Sequence, residues 1–190
     1  MSSRENIDKE IQYEEEVIEA SKKDLSQFEF LYNKYYESIF RYTFNRIGDE
    51  DETSDVVSRI FMNAMNAIQK YECRGLPFGA WLYRIASNEI KKHFRTGKNQ
   101  VLCLEEERLM DVWTCGEMPD GEVRLRILGE LVDKLNDEEV TILQMKFFED
   151  KGFKEIALLM NKKESAVKMR MYRSLNKLKA LYEKIEIKNK

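Results

Sequence analysis

Residues 151–179, KGFKEIALLMNKKESAVKMRMYRSLNKLK, place the tightest constraint on what this chain can fold into. Phe153, Ile156, Ala157 and Met160 recur at steps of three and four, which predicts one apolar face of a short helix. Asn161 follows where that helix should stop, and asparagine tolerates the left-handed backbone of a sharp exit. A second helix is expected from about Glu164, with Val167, Met171, Leu175 (or Ser174) and Leu178 facing inward. Its other faces carry Lys168, Arg170, Arg173, Lys177 and Lys179. Two helices joined by so short a turn, the second one basic, form a helix-turn-helix layout. In that layout the second helix enters the DNA major groove and its early residues reach base edges.

Basic residues on one helix are often only its solvated face. Here their distribution argues otherwise. From Lys151 to Lys190 there are twelve Lys or Arg against four acids, a net of +8 in a chain whose formal charge is -3. A basic segment in an acidic chain is a local footprint for polyanions.

The 190 residues suffice for one large domain or two small helical ones. Only 2 Pro and 8 Gly interrupt a chain rich in helix formers, so an all-α fold is expected. No apolar run approaches the roughly 20 residues of a membrane span. The start, MSSRENIDKEIQYEEE, is polar and acidic, unlike a secretory signal, so a cytoplasmic location and no membrane insertion are expected. Cys73, Cys103 and Cys115 are widely spaced, and His93 is the one histidine. Free thiols are therefore expected, with no metal site. No nucleophile elbow, phosphate-binding Gly loop or zinc-protease motif occurs. Neither catalytic residues, a cofactor nor an enzyme activity is expected.

In chain order, residues 1–23 read as an N-terminal extension with a weak stripe of Ile7, Ile11, Val17 and Ile18. A capping box at 24–27 precedes an aromatic helix facing inward through Phe28, Leu31, Tyr32, Tyr35, Ile39, Tyr42 and Phe44. Gly48 breaks it. The acids that follow, 49–52, suit the positive end of a new helix running to about Lys70. That helix turns Val56, Ile60, Phe61, Ala64 and Ile68 inward. Residues 71–79 read as a shaped loop. The next helix, 80–95, buries Trp81, Leu82, Ile85, Ala86 and Ile90 and leaves Tyr83, Arg84, Asn88, Lys91, Lys92 and Arg95 outward. Rings, amides and cations interleaved in this way suit single-stranded or opened DNA, although core packing accounts for the rings equally well. Residues 97–123 read as a flexible linker, with a helical turn near 104–110. The second domain, 124–185, opens with a stripe of Leu125, Leu128, Leu131, Val132 and Leu135. A capping box at 136–139 then starts a helix turning Val140, Leu143, part of Gln144, and Phe147 inward.

Four stretches in this order resemble the extracytoplasmic-function group of the sigma-70 family: FEFLYNKYYESIFRYTFNRIGDEDETSDVVSRIF, FGAWLYRIASNEIKKHFR, LNDEEVTILQMKFFEDKGFKEIALLM and AVKMRMYRSLNKLK. The resemblance covers residues 24–96 and 124–180 and implies two helical domains on a flexible linker. It implies a subunit that directs core RNA polymerase to promoter DNA. Residues 24–96 would be the region-2 domain, docking core polymerase through Asp49, Asp51, Glu52, Asp55, Ser58, Arg59 and Met62. Tyr71, Arg74, Phe78, Trp81, Tyr83, Arg84, Asn88, Lys91, Lys92 and Arg95 would capture and melt the −10 element. The C-terminal domain would read the −35 duplex through Ser165, Lys168, Met169, Arg170, Tyr172 and Arg173. The resemblance also implies an anti-sigma partner. Ser58 and Arg59 stand where the family often has Gln-Glu, and Lys92 where it often has Asp. His93 matches a family position and is expected to be solvated or to face phosphate. Two other classes compete: a polymerase-independent helix-turn-helix regulator binding palindromic DNA as a dimer, and a helical interaction protein whose basic tail is solvation alone.

Overall fold

The computed structural model describes residues 3–95, 134–147 and 149–188, and every regular element among them is helical. Helices α1 (Ser3–Lys23), α2 (Glu29–Ile47), α3 (Glu50–Ala67) and α4 (Phe78–Phe94) make a first module. A second is made of α5 (Asp137–Phe147), α6 (Phe153–Leu159) and α7 (Glu164–Lys188). The expected linker at 97–123, its helical turn, and Leu125, Leu128, Leu131 and Val132 lie outside the described residues, as do Cys103 and Cys115.

Short polar signals set the helix ends. Asp49 accepts the Glu52 N–H at 2.8 Å, and three acids fill the first turn of α3, against the positive end of its dipole. Gly48 ends α2 at φ 77, a left-handed backbone that glycine adopts without a Cβ penalty. Asn136 and Glu139 cap each other's N–H at 3.0 and 2.8 Å, the full reciprocal box. At residue 24 the cap is tighter than the box expected there. Asp24 takes both the N–H and the hydroxyl of Ser26, and the 3-10 turn Leu25–Phe28 precedes α2. Asn161 does leave α6 with φ 52.

The first module's core joins Phe28, Leu31, Tyr35, Ile39 and Tyr42 to the whole inward stripe of α3 and to Leu82, Ala86 and Ile90 of α4. Two positions expected inward on α2 differ. Tyr32 is 38% exposed and Phe44 is half-buried. The apolar arc of α2 is wider than its neighbours can cover. At its edge Tyr32, Tyr36, Phe40 and Phe44 stack along the helix at four-residue steps, with ring centroids 5.2, 6.0 and 6.3 Å apart. On α4, Trp81 and Ile85 are half-buried rather than interior. Residues 3–23, within the N-terminal extension, form a helix packed on this core through Ile18, which is 1% exposed. Burying a side chain of that size stabilises by about 1.5–3 kcal/mol.

The second module rests on the first. Tyr42 Oη lies 3.0 Å from Thr141 Oγ1, and Gln144 Nε2 reaches the Tyr42 carbonyl at 3.5 Å. The Tyr83 hydroxyl donates to Glu149 at 2.5 Å, and Lys91 pairs with Asp137 at 2.9 Å. Covered on one side by α6 and α7 and on the other by α2 and α4, residues Val140 to Met145 of α5 are all buried. That is why Thr141, Ile142 and Met145, which the single inward stripe leaves out, are interior.

Candidate nucleic-acid interface

Helix α7 has one face committed to its module. Val167, Met171, Ser174 and Leu178 are buried there, and Leu175 is half-buried. The opposite face is thereby fixed outward. Ser165, Lys168, Met169, Tyr172 and Arg173 are exposed on it, with Met169 at 51% and Tyr172 at 58%. Arg170 is partly covered because it pairs with Glu138 at the start of α5, a carboxylate also held by Lys162 at 2.8 Å. Lys168 pairs with Glu164 one turn back, at 2.7 Å. Guanidinium groups beside a thioether and a phenol can take guanine edges and thymine methyls in a major groove. Five of the six residues expected at the −35 element are exposed on this surface, and Arg170 lies at its edge, held by Glu138.

The second surface lies on the other module. Arg84, Asn88, Lys91 and Arg95 are exposed along one stripe of α4, with Lys92 beside it and Arg74 on the loop before the helix. Tyr71 and Trp81 are half-buried, ring against ring at 4.6 Å. With Arg74 and Arg84 they line a cleft of about 430 Å³, which Leu159 and Asn161 of the second module close on one side. Burial pushes the Tyr71 hydroxyl up to about 12, so it remains a hydrogen-bond donor at neutral pH. Burial likewise pushes the neighbouring Cys73 up to about 11, which keeps it a thiol.

Two residues expected on this surface are not there. Phe78 is fully buried, its ring held among Phe28, Tyr35, Tyr71 and Trp81 at centroid distances of 6.0, 5.9, 5.6 and 5.3 Å. The first residue of α4, it packs into the aromatic core. Tyr83 is 4% exposed, edge-on to Tyr42 and bonded to Glu149. Burial and the adjacent Glu149 carboxylate raise its hydroxyl well above the ordinary tyrosine range. It faces the second module, which the local helical period gives no means of anticipating.

At the third set, Asp49, Asp51, Asp55, Ser58, Arg59 and Met62 are exposed on α3, and Met62 is 56% exposed. Glu52 is drawn inward by His93, whose Nε2 is 3.2 Å away. His93 therefore faces a carboxylate with its side chain 12% exposed, not solvent or phosphate as expected. Three structurally important acids, Glu14, Asp137 and Glu149, had no expected role. Of these Glu14 carried a signal, since Ile11, Glu14 and Ile18 share one face of α1 at helical spacing. Among the described residues no group of three His, Cys, Asp or Glu is placed to hold a metal, and no helix is long and apolar enough to cross a membrane.

The Sigma-70 region 2 family matches residues 31–100, and Sigma-70, region 4 matches residues 125–178. The chain belongs to the sigma-70 family. Among its relatives, the ECF RNA polymerase sigma factor BldN of Streptomyces coelicolor is 28% identical over 155 residues, covering 80% of this chain and 58% of BldN. The ECF RNA polymerase sigma factor SigM of Bacillus subtilis is 23% identical over 155 residues, covering 81% of this chain and 94% of SigM. The fold is similar to that of CnrH, solved in complex with the cytosolic domain of CnrY. The TM-score is 0.55 at 20% identity, over 88% of this chain and 95% of that one. In sigma-70 terms the first module holds region 2 and the second region 4. Helix α1 precedes the region-2 match entirely.

Proposed function

We propose that this chain is a cytoplasmic promoter-specificity subunit without catalysis of its own. It binds core RNA polymerase through the exposed face of α3, reads the −35 duplex with α7, and captures the opened −10 strand with the cleft and stripe of α4. The observation that carries this reading is the pairing of two unlike DNA surfaces on two modules: a basic helix face suited to a groove, and a cleft walled by Tyr71, Trp81, Arg74 and Arg84 suited to an unstacked base. Each base stacked on an aromatic ring is worth about 1–3 kcal/mol, comparable to the few kcal/mol that unstacking costs. A few such contacts therefore hold a bubble open. A polymerase-independent regulator would have no use for the second surface.

In the packed form Lys91 is engaged by the second module, and Leu159 and Asn161 cover one side of the cleft, so the −10 grip acts only after the modules part, whereas the −35 face of α7 is already exposed. The idle, packed form is the one an anti-sigma partner would hold. The test compares Arg173→Ala with Arg84→Ala in reconstituted holoenzyme. Arg173→Ala should weaken −35 duplex binding by about tenfold and lower its salt dependence by about one phosphate contact, with core affinity unchanged. Arg84→Ala should spare the duplex and weaken binding of the single −10 strand. Equal loss of both activities in either variant would refute the division of labour.

A further inference from the structure

Helix α4 begins without a cap from its own neighbourhood, because the residue before it is Pro77. The missing acceptor comes from far back in the chain. Glu14 of α1, 2% exposed, takes the Phe78 N–H on Oε2 at 2.8 Å. Its other oxygen accepts the Tyr35 hydroxyl at 2.5 Å and the Lys34 ammonium at 2.7 Å. Both oxygens of a buried carboxylate are thus used, one of them on an orphan donor at a helix start, where a negative charge is favoured. Helix α1 also touches the loop before α4 elsewhere. Gln69, just ahead of the loop, donates to the Lys22 carbonyl at 2.5 Å, and Glu15 faces the Cys73 thiol.

From this geometry we infer that Glu14 is a positioning residue for −10 strand capture, acting through Phe78. The Phe78 ring is packed on Tyr71 and Trp81, the two aromatic walls of the cleft. Fixing the Phe78 backbone therefore fixes the register of those walls and the direction in which Arg84, one and a half turns on, leaves α4. Helix α1 lies before the region-2 match, so this brace reaches the strand-binding site from outside the matched residues. The inference rests on the proposed role of the cleft.

The experiment uses holoenzyme built with the full chain and a fluorescent single-stranded oligonucleotide carrying the non-template −10 sequence of a promoter selected by this sigma factor. Glu14→Ala leaves the buried Phe78 N–H unpaired and should weaken strand binding by about tenfold or more. Core affinity and −35 duplex affinity should stay within about twofold, since neither surface touches Glu14. Glu14→Gln, whose amide oxygen still accepts the Phe78 N–H, should restore strand binding to within about threefold of wild type. If Glu14→Ala does not fold, Tyr35→Phe serves instead. It removes one bond from the carboxylate, and a loss of about threefold confined to strand binding is expected. Strand binding unchanged in a folded Glu14→Ala, or in Tyr35→Phe, would overturn the inference. So would a Glu14→Gln variant as impaired as Glu14→Ala. Wild-type holoenzyme that ignores the strand would strike at the cleft assignment itself, a result separable from any failure of the variants.

Discussion

Glu149 sits on the loop between α5 and α6 with its carboxylate turned into the first module, where Tyr83 donates to it and Lys151 lies 3.5 Å away. Burial outweighs both partners and raises its carboxyl above the ordinary 4.5. A carboxyl raised by packing takes up a proton as the modules close. Its contribution is complete below 4.5 and falls away as pH climbs through the raised value. Module packing, followed by interdomain fluorescence transfer, should therefore weaken as pH rises through that window. Glu149→Gln keeps an acceptor for Tyr83 but cannot titrate, so the slope should flatten; an undiminished slope would place the titrating group elsewhere. At this scale the sequence was informative about exposed residues and silent about covered ones. Arg84, Asn88, Met169 and Arg173 are outward as their helical positions predict. Phe78 and Tyr83 are not, because what covers them comes from the 3-10 turn before α2, from α2 itself and from a loop some 66 residues further on.

Helix α4 crosses close to α6 at a single glycine. A Cβ on Gly79 would lie 2.7 Å from the Tyr35 ring and 3.0 Å from Leu159 Cδ2. The Leu159 methyl can swing aside, whereas Tyr35 is pinned by its bond to Glu14. Inside a helix Gly→Ala ordinarily stabilises by about 1 kcal/mol. Here the clash reverses the sign, and Gly79→Ala should lower stability by about 1–3 kcal/mol, as overpacking does. Thermal or urea unfolding checks this, and a stabilised variant would mean that α2 and α4 have more room than their packing indicates. Elements were largely legible because their signals are local. Gly48, Asp49, the Asn136–Glu139 box and Asn161 end or begin helices where a few neighbouring residues dictate. The attachment of α1 was legible only as a weak stripe, since its strongest ties, through Glu14, are to residues 21 and 64 positions away.

Across the whole molecule, the contact between modules combines apolar packing, as at Leu159, with polar pairs that are imperfectly matched. Arg46 is 1% exposed, its guanidinium 5.7 Å from the Tyr42 ring centroid, and its ion-pair partner Asp137, at 3.6 Å, belongs to the other module. None of its guanidinium nitrogens has a hydrogen-bond acceptor among the described residues. A buried charge so sparsely compensated costs stability, which favours an interface that opens when a better partner arrives. Arg46→Met should tighten the packed form, seen as higher interdomain fluorescence transfer in the free chain, and slow its assembly with core polymerase. Faster assembly would contradict that picture of the interface. As a promoter-specificity subunit, the chain must use its two surfaces together on one promoter. The most direct measurement is start-site mapping on a library of random promoters, transcribed by core polymerase with and without this chain. Joint action predicts new start sites preceded by two separated sequence motifs, the upstream one lost with Arg173→Ala. An unchanged set of start sites, or new ones sharing a single motif, would contradict it.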